Sequence, residues 1–146
     1  MRLVVQRVEK AKVIRVQDGK TVGEIGKGLL ILLGIKKGDT EKEAETLVDK
    51  LSKLRVMSDE NDKMNLSVKD MNGKILVVSQ FTLYADTSGG NRPSFINAEE
   101  SEKAKSLYGF FVDKLKEKGI MVETGSFGDY MQIEAILDGP VTILYD

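Results

Sequence analysis

The sequence predicts an α+β fold built on mostly antiparallel sheets. Three observations carry this expectation: β-branched, alternating runs crowd both ends of the chain, only two segments space apolar residues at helical intervals, and strands and helices do not alternate as a doubly wound parallel sheet requires. The 146 residues fit one domain, spanning 1–146, with a sizeable core and no room for a second. No internal repeat, linker or low-complexity tract interrupts them.

The first third reads as strands in a meander. "RLVVQRV" (Arg2 to Val8) and "AKVIRVQ" (Ala11 to Gln17) are followed, after the turn signal Asp18-Gly19, by "KTVGEIG" and by "GLLILLGI", which is apolar enough to be buried on both faces. "DTEKEAETLVDKLSKLRV" is a helix: Thr40 and Glu43 have capping-box spacing, and Ala44, Leu47, Val48, Leu51 and Leu54 form one apolar face. A polar loop with Asp59, Asn61, Asp62 and Asn65 leads into "KILVVSQFTLYAD", an apolar strand, and then into the loop "TSGGNRPSFINAEE". The second helix is expected to start near Asn97, capped with Glu100 three residues on, to bury Ala104, Leu107, Tyr108, Phe111 and Leu115, and to stop at Gly119. The remainder reads as the strand "IMVETG", a turn at "SFGD", the strand "YMQIEAIL", a hairpin turn at "DGP" and the strand "VTILYD".

Composition narrows the chemistry. With 22 basic and 23 acidic residues the net charge is -1, so the chain as a whole is no electrostatic nucleic-acid binder; DNA is not expected as a partner, while local basic patches can still engage RNA. The longest apolar run, Leu29 to Leu33, is too short to span a bilayer and no signal-peptide pattern is visible, so a cytoplasmic location without membrane attachment is expected. The absence of cysteine and histidine removes thiolate chemistry, the commonest general base and the commonest metal ligands. No metal or nucleotide motif stands out, and no cofactor is expected. Proton transfers would fall to carboxylates, lysine, tyrosine, water or the substrate itself.

Two stretches are candidates for function. In "VVSQFTLYADTSGGNRPSF" (Val77 to Phe95), regular strand geometry turns Ser79 and Phe81 to one face and Gln80 and Thr82 to the other. Ser79 and Thr82 therefore share a pocket only if the strand bulges or ends there. An isolated hydroxyl in a strand is ordinarily structural, but a Ser, Gln, Thr cluster leading into a glycine loop points to a site. In "DGPVT" (Asp138 to Thr142), the ordinary reading is a turn; the alternative is a cis Gly139-Pro140 bond that turns two successive carbonyls the same way, able to accept from an ammonium group. Arg7 reads as an arginine on the solvent face of an edge strand or as a guanidinium that ties down nearby carbonyls, and Arg92 as a phosphate contact or a loop residue.

"SQFTL" (Ser79 to Leu83) taken with "DGPVT" resembles the D-aminoacyl-tRNA deacylase (D-tyrosyl-tRNA deacylase) family. "QRV" with Arg7, "GEIG", "GLLILLGI", "KMNLSV", "RPSF" and "TG-F" followed by Met131 and Gln132 extend the resemblance over the whole chain. It implies a barrel-like arrangement of the sheets with two packed helices, and a homodimer that hydrolyses the ester between a D-amino acid, or a misattached glycine, and the terminal adenosine of tRNA without a metal. It places catalysis at Ser79, Gln80, Phe81 and Thr82, and assigns substrate binding and chiral selection to Gly139, Pro140, Arg7, Met131 and Gln132. The Gly-Pro carbonyls, held by Arg7, would enter the partner's pocket, bind the α-amino group and leave no space for an L side chain. The chain departs from the family at Leu137 and Asp138, where many members carry asparagine. Without histidine or cysteine, the expected route has the ribose 2′-hydroxyl assist water while backbone amides around Ser79 to Phe81 stabilise the oxyanion. Thr82 as a nucleophile is the alternative, disfavoured because no base is identifiable beside it. A non-catalytic RNA-binding or dimerisation module is the rival reading of the whole.

Overall fold

One long N-terminal strand organises the sheet. The structure, a computed structural model, describes residues 1–146, and its first strand, β1 (Arg2–Arg15), is continuous where two strands were expected. Glu9 and Lys10, whose polarity suggested a break, turn their side chains to solvent while Lys10 stays paired with Ile136.

The expected meander is not formed. β2 (Lys20–Ile25) pairs with Ala11–Arg15 and β3 (Gly28–Gly34) with Arg2–Val8, both antiparallel, so residues 20–34 run back along β1 as one long hairpin interrupted at Gly26 and Lys27. β3 is buried on both faces, as its apolar run predicts, because it also pairs in parallel with β6 (Lys74–Ser79), which pairs in parallel with β7 (Met121–Thr124). The order is β2-β1-β3-β6-β7, with β8 (Met131–Tyr145) on β1, and the sheet curls until it is nearly closed and barrel-like. Gly23 of β2 sits against the Thr124 carbonyl of β7, an approach that any side chain would block.

The polar segment after the first helix is a hairpin rather than a loop. β4 (Met57–Ser58) and β5 (Met64–Leu66) pair because the Asp59 carboxylate accepts from the Asn61 and Lys63 amides at 2.9 Å and from the Asn65 side chain at 2.7 Å.

Helix α1 (Glu41–Ser52) starts with the expected capping box between Thr40 and Glu43 and ends before Leu54. Helix α2 (Ser101–Glu117) starts later than Asn97, which does not cap it. Residues 97 to 99 are used instead to extend from β3: Lys37 N–H donates to the Asn97 carbonyl at 2.9 Å and Glu99 N–H to the Ile35 carbonyl at 3.0 Å.

Alternation in the central strands then divides the core in two. Leu29, Ile31, Leu33, Ile75 and Val77 pack against Leu51, Phe111 and Leu115 of the helices, while Leu30, Leu76 and Val78 meet Val8, Val13 and Ile25 inside the curl. Phe111 and Leu115 are fully buried, so truncating either to alanine costs about 2–5 kcal/mol.

"DGP" is not a hairpin turn. β8 continues through it with both flanks on β1, Leu137 opposite Val8 and Thr142 opposite Gln6, which leaves residues 138 to 141 to bulge out opposite Arg7. Strand parity and turn composition look alike at such a bulge, hence the difference from the expectation.

Candidate active site

β6 ends at Ser79 because its partner β3 ends at Gly34: Gln80 N–H makes a last bond to the Leu33 carbonyl at 2.8 Å, and Phe81–Tyr84 wind into a 3-10 helix. Alternation therefore stops applying after Ser79. Ser79, Gln80 and Phe81 form one wall of a cavity of about 610 Å³; Phe95, Ala98 and Glu99 form a second, and Phe127, Tyr130 and Met131 a third. Phe81 and Phe95 meet edge to face, ring centroids 5.0 Å apart, at the exposed rim.

Of the residues expected at the site, the cavity gathers Ser79, Gln80, Phe81 and Met131, but not Thr82, Gln132, Arg7, Gly139 or Pro140. The Thr82 hydroxyl accepts from the Gln80 side-chain amide at 2.5 Å, a donor that cannot take its proton. The Gln80 N–H, committed to Leu33, is unavailable to a substrate oxygen, a correction to the expected set of oxyanion donors. Phe81 and Thr82, as the first residues of the 3-10 helix, have no acceptor inside it for their N–H groups, and the first helical bond is donated by Leu83 to Gln80.

The carboxylates on the cavity wall are poor bases. Lys103, at 2.8 Å, and the Gly38 and Glu100 amides hold the Glu99 carboxyl down at about 2. Asp129 is likewise lowered, first by the Ser126 hydroxyl. Behind the wall, the Tyr108 hydroxyl donates to the Val77 carbonyl at 2.7 Å and burial pushes it up to about 12. The cavity thus supplies apolar walls and small donors, with no group poised near neutrality to accept a proton.

A second constellation lies on the β1–β8 ladder. Arg7 is 9% exposed, so it is not on the solvent face of an edge strand; β1 lies between β3 and β8. Its Nη1 donates to the Val56 carbonyl at 2.8 Å, and its Nε donates to the Asp138 carbonyl at 3.3 Å and lies 3.0 Å from the Asp138 carboxylate. Asp138, one of the two departures from the family pattern, is thereby the arginine's ion-pair partner. Gly139 has φ +116°, a backbone that side chains rarely adopt, and the Gly139–Pro140 peptide is cis. Seven residues of strand lie between Met131 in the cavity and Gly139, a contour on the order of 25 Å.

Arg92 is exposed on a loop closed by the Asp86–Ser94 bridge. Sequence reasoning missed Glu99, Phe127 and Tyr130 as wall residues. Glu99 falls where the loop "TSGGNRPSFINAEE" meets the second helix, "SFGD" reads as a turn, and Tyr130 reads as the first residue of the strand "YMQIEAIL".

The chain is similar to known proteins along its whole length. A family model described as D-Tyr-tRNA(Tyr) deacylase matches residues 4–146. A D-aminoacyl-tRNA deacylase from Thermotoga petrophila is 57% identical over 146 residues, covering 100% of this chain and 97% of that one. A solved structure named "c-Myc DNA Unwinding Element Binding Protein" superposes with a TM-score of 0.92 at 41% identity, covering 100% of this chain and 98% of the other. "Structural Analysis of a probable eukaryotic D-amino acid tRNA deacylase" superposes with a TM-score of 0.85 at 15% identity, over 99% and 97%, and shares the fold.

Proposed function

The chain belongs to the D-Tyr-tRNA(Tyr) deacylase family, and from that premise we propose that it hydrolyses the ester of D-aminoacyl-tRNA, and of misattached glycyl-tRNA, releasing free tRNA and amino acid. The observation that carries this reading is the cavity beside Ser79 to Phe81: an aromatic rim, small donors and no internal base. In this reading the terminal adenosine rests against Phe81 and Phe95, and its ribose 2′-hydroxyl assists the attacking water, which makes a protein base unnecessary. The Phe81 N–H faces the developing oxyanion. Thr82 shapes the wall through its bond with Gln80 and is not the nucleophile.

Chiral selection is assigned to the Gly139 and Pro140 carbonyls of a second copy. Within one chain that bulge lies outside the cavity, so a complete site needs two. Support for a homodimer comes from β8, which pairs only with β1 and leaves its other edge open. Ile136, Leu137 and Leu144 along it are 45–60% exposed, and a long apolar edge strand is a surface that proteins cover. Arg7 then acts as a positioning residue that fixes the bulge from behind. No helix is long and apolar enough to cross a membrane, and the cytoplasm, where aminoacyl-tRNA is used, is the proposed setting.

The test compares D-tyrosyl-tRNA with L-tyrosyl-tRNA under the purified protein. Rapid release of the D-amino acid with the L form spared is expected. Binding of both forms with hydrolysis of neither would replace the enzyme with a non-catalytic RNA-binding module.

A further inference from the structure

Tyr130 is 79% exposed, the most exposed of the chain's large hydrophobic and aromatic side chains, yet it lines the cavity. Its backbone is fixed. The Tyr130 carbonyl accepts from Val16 N–H at 2.9 Å, Asp129 N–H donates to the Ser126 carbonyl at 3.2 Å, and the Asp129 carboxylate is engaged by the Ser126 hydroxyl with Arg15 at 3.9 Å. The ring, by contrast, is unpaired: Phe81 meets Phe95 edge to face and Tyr108 meets Phe127 at a tilt, while Tyr130 has no aromatic or cationic neighbour. A bare ring on a fixed stretch of backbone at the mouth of a cavity is the arrangement that single-stranded nucleic acid uses, because every base has a face to stack.

We propose that Tyr130 is a stacking platform for a base of the substrate's single-stranded 3′ end that precedes the terminal adenosine, on the wall across from Phe81 and Phe95. This rests on the deacylase reading and adds a subsite to it. An exposed ring without an aromatic or cationic partner on the cavity wall favours a nucleobase as its occupant, the second protein chain being assigned to the amino-acid end of the same cavity. Arg15, held at 2.6 Å by Asp18, also lies 3.9 Å from the Asp129 carboxylate and offsets part of its charge beside the platform, while Lys103 pairs with Glu99, the other carboxylate of the cavity wall.

The chain contains no tryptophan, so Tyr130→Trp installs a sole tryptophan on the platform, excited selectively over the remaining tyrosines. Titration with the trinucleotide CCA should quench it, and free adenosine should not. In steady state, Tyr130→Ala should raise KM for D-tyrosyl-tRNA about tenfold, with kcat changed by less than about twofold, and Tyr130→Phe should restore KM. D-tyrosyl-adenosine, which lacks the preceding bases, should be hydrolysed equally by all three. Equal losses on both substrates, an unchanged KM for the alanine variant, or a shift in sedimentation marking Tyr130 as a subunit contact would each overturn the proposal. Quenching by CCA in a protein that leaves D-tyrosyl-tRNA intact would refute the deacylase reading while keeping the base platform.

Discussion

Replacing Arg7 by alanine removes a side chain that joins the bulge of β8 to the segment entering the β4 hairpin. The Nη1 bond to the Val56 carbonyl is 2.8 Å long and buried; losing it leaves that carbonyl unsatisfied at a cost of about 1–3 kcal/mol. The contact with the Asp138 carboxylate is 3.0 Å, but that side chain is 39% exposed, so solvent screening holds its share to about 1 kcal/mol or less. The sum is a loss of about 1–4 kcal/mol, which urea unfolding followed by far-UV circular dichroism resolves. Asp138→Asn tests the division: it keeps the Nε bond to the Asp138 carbonyl at 3.3 Å and should cost less than about 1 kcal/mol. Arg7→Lys should resemble the alanine variant more than wild type, since one ammonium cannot reach both Val56 and Asp138. D-tyrosyl-tRNA hydrolysis by folded Arg7→Ala should fall more than about tenfold, because a displaced bulge no longer presents its carbonyls in register. An alanine variant within about 0.5 kcal/mol of wild type, discriminating D from L as before, would refute the reasoning.

Three further outcomes follow from the cavity. Proline is tolerated at the first position of a helix but has no N–H, so Phe81→Pro should lower kcat by about 10²–10³, whereas Phe81→Ala, which keeps the N–H, should act mainly through KM. Thr82→Ala should retain most of the kcat while tRNA ending in 2′-deoxyadenosine is turned over negligibly; the reverse pattern in single-turnover assays would make Thr82 the nucleophile. For Glu99, the folded carboxyl sits at about 2 against an ordinary 4.5, so its stabilisation is full above pH 4.5 and is lost as pH falls toward 2, the unfolded chain taking up the proton first. Acid unfolding curves of wild type and Glu99→Gln should therefore converge below that window and diverge above it.

Much of this architecture is legible in the residues, and the failures have physical causes. The capping box at Thr40, the two-faced burial of β3 and the apolar stripe of α2 all follow from local patterning, which the tertiary structure reinforces. What patterning cannot show is pairing. It gave two strands where Glu9 and Lys10 merely face solvent, and a meander where residues 20–34 fold back on β1. It also gave a turn at "DGP", because a bulge and a turn use the same residues. At the site, Ser79, Gln80 and Thr82 read as a polar cluster in a strand that either continues, bulges or ends; β6 ends at Ser79, and of the three only Ser79 and Gln80 line the cavity. Tyr130 and Glu99 went unseen because each reaches the cavity from a connecting segment remote in sequence, where neither periodicity nor composition signals placement.

The central claim, that a working site joins the cavity of one copy to the bulge of another, is tested most directly by mixing two inactive chains. Phe81→Pro spoils the cavity, and Gly139→Ala, which forces a side chain onto φ +116°, spoils the bulge. Each variant alone should be inactive on D-tyrosyl-tRNA. Unfolded together in equal amounts and refolded, half of the dimers should be mixed with one intact site each, restoring about a quarter of wild-type activity. Activity that stays at the level of the separate variants, in a mixture shown to contain mixed dimers, would contradict the shared site.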